Sequence, residues 1–171
     1  MIRDIKETFK EKLYECHKHV EKITVSKKHL TALMPLSAES YLNLNDVDMS
    51  FIDQLIFRFS KLQDTLGEKV FPFILDLSKE DLKKKTFLDI LNRLEELEVV
   101  DKTRWLKLRE IRNDIAHEYS FNRDEVVDSI MSIYKVSDEL IDIYNSTNKF
   151  WANHVKRDKI RARQPYFSIM S

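Results

Sequence analysis

At 171 residues, with 43% hydrophobic and 34% charged side chains, the chain is long enough to bury a core and too apolar to be disordered. Its 29 basic and 29 acidic residues cancel, which excludes a whole-protein field for nucleic acid and leaves any such binding to local patches. One Gly and three Pro are too few for the closely spaced turns of all-β or α/β folds. The expectation is therefore all-α: an antiparallel bundle of about five or six helices, one domain over 1–155 with a basic C-terminal tail over 156–171.

Residues 1 to about 23 read as a first helix, with Ile2, Ile5, Phe9, Leu13, Cys16 and Val20 recurring at steps of three and four. The N-terminus is charged from its third residue and lacks the apolar region of a signal peptide, and no uncharged run approaches a membrane span, so the expected location is the cytoplasm, without membrane contact. Cys16 stands alone, which suits a reducing compartment and rules out an internal disulfide. No Cys/His spacing resembles a zinc site, and neither metal nor cofactor is expected. His17, His19 and His29 sit among lysines and are read as solvated surface.

Pro35 and the Ser, Asn and Asp content of 37–48 predict a loop with one short turn. Ser50 with Asp53 resembles a capping box opening a second long helix. Phe51, Ile52, Leu55, Ile56, Phe59, Leu62 and Leu66 form its apolar stripe, and Gly67 is read as its terminator. On the wet side Asp64 can pair with Lys61 three residues earlier, or one of the acids can reach Arg112 or Arg109 across the bundle. Val70–Leu77, with Pro72 near its start, reads as a short buried helix or turn. Thr86 opens a helix with a core face of Phe87, Ile90, Leu91, Leu94 and Leu97, and Asp101 caps the next, which turns Trp105, Leu108, Ile111 and Ile115 inward. Asn122 with Glu125 opens a last helix, running to about His154 on a stripe of Val126, Ile130, Ile133, Leu140, Ile141 and Tyr144. Lys156–Arg163 holds five cations and one acid, and is the best phosphate-backbone contact in the sequence.

The stretch Leu106–Tyr119 concentrates the reactive side chains: Arg109, Arg112, Asn113, Asp114, His117 and Tyr119. On a helix Asn113 and His117 stack one turn apart, and Arg112 and Tyr119 return to nearly one azimuth. A cation, an amide, an imidazole and a phenol then crowd about two turns. A polar face with one His is ordinarily solvent-facing surface, and that reading stays open at this point. Arg112-Asn-Asp-Ile-Ala-His117-Glu-Tyr119 resembles the Arg, four residues, His, any residue, Tyr signature of HEPN-domain toxins, the partners of minimal nucleotidyltransferases in prokaryotic toxin–antitoxin pairs.

These residues suit cleavage of RNA without a metal, by attack of the ribose 2′-hydroxyl on its own phosphorus. His117, with an unperturbed pKa of about 6.5, fits the proton-moving role. Arg112, a permanently charged planar fork, fits the phosphoryl oxygens. Asn113 can bond the phosphate or His117; Asp114 can orient His117 or pair with Arg109. No cluster of carboxylates points to a two-metal nuclease. One His in the motif of each chain is half of an acid–base pair, so a homodimer that joins two such helices is suggested. The resemblance implies the same: a composite dimeric site built on both copies of Arg112 and His117, in a type II/VII-like toxin–antitoxin pair. It also implies a cognate nucleotidyltransferase antitoxin that can transfer AMP to Tyr119, which is otherwise a wall of the site or an ordinary helix-end aromatic. The competing readings are a non-catalytic HEPN-like module binding nucleotide or a nucleotidyltransferase partner, and a plain helical interaction protein.

Overall fold

The computed structural model describes residues 4–115 and 122–163, and every regular element among them is helical. There are α1 Ile5–Leu30, α2 Ala38–Leu42, α3 Asp46–Thr65, α4 Phe71–Leu77, α5 Phe87–Glu96, α6 Lys102–Asp114 and α7 Arg123–Arg163. A π-helical turn, Leu66–Val70, joins α3 to α4 without a break, so the seven segments make six rods of an antiparallel bundle. α1 and α3 pack along each other, and α7 lies against both and against α6. Phe9, Ile23, Leu55, Phe59, Leu62, Phe71, Leu91, Trp105, Leu108, Ile133 and Leu140 form the shared core. No described helix is long and apolar enough to cross a membrane.

Several boundaries differ from the sequence expectations, each for a local reason. α1 runs on to Leu30, because Ile23, Ser26 and Leu30 continue its buried stripe. α3 starts four residues before Ser50, at Asp46: Asn45 is its N-cap, accepting from the Asp48 amide at 2.8 Å. Ser50 then lies inside the helix, donating to the Val47 carbonyl at 2.6 Å. α7 passes His154 and continues through the cationic stretch to Arg163, with Lys6 of α1 bridging to Asp158 at 2.5 Å. Its deepest stripe runs through Val127 and Ile143, with Val126 and Ile141 half-buried beside it. The caps expected at Thr86 and Asp101 are present; Thr86 forms a reciprocal box with Asp89, and Asp101 accepts from the Arg104 amide at 2.8 Å.

Gly67 does not end a helix. Its φ is not positive, and the left-handed positions fall to Lys79 and Glu98, which close α4 and α5. Gly67 instead lets an aromatic ring approach: a Cβ on it would stand 3.0 Å from Cζ2 of Trp105. The one glycine of the chain is spent on packing α6 against the π turn.

Candidate functional site

α6 carries the described part of the reactive stretch. Its N-cap, Asp101, fixes the start, and the burial of Trp105, Leu108 and Ile115 fixes the rotation. Arg109, Arg112 and Asn113 then fall on the side facing α3, where they line a cavity of about 520 Å³ with Gln63, Asp64 and Trp105. Asp114 is about 200° round the helix from Arg112. It lines a different cavity, of about 360 Å³, together with Asp53, Glu125 and Asp128. Of the two roles open to Asp114, the pairing with Arg109 does not form. Arg109 lies 5.1 Å over the ring of Phe87 on α5 instead. His117 and Tyr119 lie outside the described residues.

Arg112 is held from across the bundle. Its Nη2 donates to Asp64 at 3.0 Å, so Asp64 takes the inter-helix partner rather than Lys61. Both side chains are about one-third exposed, and such a pair contributes about 0–1 kcal/mol, a contact that orients more than it stabilises. The contact uses one nitrogen of the fork and leaves Nε and Nη1 for another acceptor. Asp64 and Glu68 balance Arg109 and Arg112 around the cavity, so a phosphate there would be recognised by donor geometry rather than by excess positive charge.

The cavity has a feature that the sequence reading missed. Gln63 is only 4% exposed, and neither atom of its amide has a hydrogen-bond partner. The indole Nε1 of Trp105 is also buried and unpartnered. Buried polar atoms are paired in the great majority of cases, and one left unpaired costs about 1–3 kcal/mol. Three such atoms belong to two residues of one cavity wall, beside the π turn. Two signals were present in the sequence: Gln63 stands on the apolar stripe four residues after Phe59, and the lone Gly67 stands in an otherwise helical run.

Two of the three histidines read as surface differ from expectation. His17 stays on the surface, beside Glu21 at 3.1 Å. His29 is half-buried, with Nε2 2.8 Å from Asp48 and its ring stacked on Phe51 at 4.0 Å. His19 is buried between α1 and α3, where Arg58 donates to its Nδ1 at 3.1 Å. Burial, and then the Arg58 charge, push its pKa below the ordinary histidine value. The cations of Lys156–Arg163 are exposed along the end of α7.

No protein-family model, curated protein or solved structure matches this chain.

Proposed function

We infer that the chain is a metal-independent endoribonuclease of the HEPN type, acting as a homodimer and neutralised by a nucleotidyltransferase antitoxin. The observation that carries this reading is Arg112: a guanidinium on a cavity wall, oriented by Asp64 through Nη2 alone, five residues before the motif His117. In the reaction, His117 of one copy takes the proton of the ribose 2′-hydroxyl as its oxygen attacks phosphorus. The P–O5′ bond breaks, and His117 of the second copy returns a proton to the leaving oxygen. Arg112 of each copy holds the charge that builds on the non-bridging oxygens. The products are a 2′,3′-cyclic phosphate and a 5′-hydroxyl. An AMP group on Tyr119 would put negative charge and bulk beside Arg112 and His117 and so exclude RNA by repulsion and sterics.

The test is cleavage of several RNA classes in EDTA by protein whose intact mass excludes an adduct on Tyr119. Cyclic phosphate ends from the wild type, and none from His117→Ala or Arg112→Ala of unchanged helicity, are the expected result. An unmodified, dimeric wild type that cuts none of them would overturn the reading. A second reading, a non-catalytic module that binds nucleotide or presents itself to a nucleotidyltransferase, draws support from the unpartnered amide and indole beside Arg112. It predicts nucleotide or partner binding with no RNA turnover.

A further inference from the structure

We propose that the cavity between α3 and α6 is a base-reading site, in which Gln63 and Trp105 take the edge of an adenine whose phosphate lies toward Arg112. The proposal names a substrate preference for the same site and, in its RNA form, rests on the ribonuclease reading.

The argument starts from three buried atoms without partners: Gln63 Nε2 and Oε1, and Trp105 Nε1. An amide offers one donor side and one acceptor side in a single plane, and the indole adds a second donor. A ligand that satisfies them must present a donor beside an acceptor on a flat body, with a further acceptor within reach. Adenine does so: N7 accepts and the N6 amino group donates, the bidentate match of a glutamine amide, and its other ring nitrogens accept. The surroundings suit a flat aromatic body. The cavity, about 520 Å³, falls within the usual range for small-molecule sites and is walled by Trp105, Phe87 and Pro72. The Arg109 guanidinium already lies over Phe87, and aromatic and guanidinium planes are what unpaired bases stack on. Arg112 supplies the neighbouring phosphate contact through Nε and Nη1.

The amide and the indole N–H are both shut away from solvent, so reading a base requires Gln63 to turn and the Trp105 ring to shift toward the cavity. No hydrogen bond opposes that rotation, because none is made. Gln54, nine residues earlier on the same helix, is the counter-example: its Nε2 donates to Ser26 Oγ at 2.8 Å and to the Lys22 carbonyl at 3.3 Å, and it is fixed. The π turn that follows Gln63 agrees with a functional origin, since such turns inside α-helices recur at functional sites.

The experiment is calorimetric titration of the full-length protein with AMP, CMP, GMP and UMP, and with the dinucleotide ApC carrying a 2′-deoxyadenosine so that it cannot be cut. The variants are Gln63→Leu and Trp105→Phe. Saturable AMP binding, at least tenfold tighter than the other three, is expected, with a loss of tenfold or more in Gln63→Leu and a smaller loss in Trp105→Phe. A melting temperature of Gln63→Leu equal to or above the wild type certifies that the variant folds. Tighter binding of the dinucleotide than of AMP identifies RNA as the source of the adenine; AMP bound as tightly identifies a free nucleotide, and the adenine site stands either way. Equal binding of all four bases, undiminished AMP binding by Gln63→Leu, or no saturable binding at millimolar nucleotide overturns the proposal. RNA cleavage without base preference, unchanged in Gln63→Leu, would sink the base site and leave the ribonuclease. AMP binding without any cleavage would do the reverse.

Discussion

α3 meets α1 along one side and α6 along another, and the two seams treat their polar groups in opposite ways. Toward α1, Gln54 bonds Ser26 and Lys22, Thr65 donates to Glu15 at 3.2 Å, and Arg58 donates to His19. Toward α6, the buried amide of Gln63 and the indole of Trp105 have no partner, and Arg112 is held through a single nitrogen. The same helix thus carries a seam whose hydrogen bonds are nearly complete and a seam with donors and acceptors to spare. A bundle gains specificity from the first kind. The second kind costs stability in the isolated chain and makes sense where something else completes it.

The largest contrast is expected in activity. Arg112→Ala and His117→Ala should each lower RNA cleavage by about 10²–10⁴-fold, and Arg112→Ala should leave the melting temperature within a few degrees, since its pair with Asp64 is about one-third exposed. Phosphodiester cleavage rates beside thermal melts check this. An equal loss of activity and fold would make Arg112 a structural residue and remove the contrast between the seams. In stability the two glutamines should diverge. Gln54→Leu removes a partner of the fully buried Ser26 hydroxyl and should cost about 1–3 kcal/mol. Gln63→Leu removes two unpaired atoms with little change of volume and should be neutral or stabilising by up to about 1 kcal/mol. Urea denaturation of both variants decides it, and similar losses would mean that Gln63 is satisfied after all.

A smaller effect is expected at Gly67. A methyl there would press on the Trp105 ring, which packs against Phe71 at a centroid distance of 4.6 Å and lines the cavity. Overpacking costs about 1–3 kcal/mol, and replacing Gly by Ala within a helix returns about 0.5–1 kcal/mol. Gly67→Ala should therefore destabilise by about 1 kcal/mol and narrow the cavity, weakening AMP binding as well.

The helical architecture was legible because it follows from periodicity and from the lack of glycine and proline. The caps at Thr86 and Asp101 were legible because capping is local. What escaped was set by partners far apart in sequence. The bridge from Asp64 to Arg112, 48 residues away, was only one of two open readings, because Lys61 stood within reach on the same helix and nothing local decided between them. His19 looked like surface among lysines, yet one turn of helix placed it against α3. Gly67 carried a strong local meaning, a helix stop, which its contact with Trp105 overrode. In the candidate site, the sequence marked α6 and its arginines, whereas the Gln63–Trp105 wall depends on the packing of two helices and a π turn, which Gln63 on the apolar stripe and the lone Gly67 only hint at.

The α1 seam has one imperfection, and it gives the smallest predicted effect. An arginine can only donate, so His19 Nδ1 accepts from Arg58 and the neutral ring carries its proton on Nε2. That N–H has no partner, with Glu15 Oε1 4.0 Å away. Protonating the ring would put a buried positive charge beside Arg58, with Lys61 also opposing it and only Glu15 in favour. The folded-state pKa is therefore below the unfolded value of about 6.5. Between the two values the unfolded chain binds a proton that the folded chain refuses, so stability falls as pH drops from about 6.5 toward the lowered pKa and is unaffected by this group above it. His19→Gln keeps an acceptor for Arg58 and removes the titration. Urea midpoints of wild type and variant across pH 5–8 should converge as pH falls, the wild type losing an advantage that it holds at neutral pH. Parallel curves would mean that Glu15 accepts the Nε2 proton in solution, which would complete the α1 seam and leave the α6 seam as the place where partners are missing.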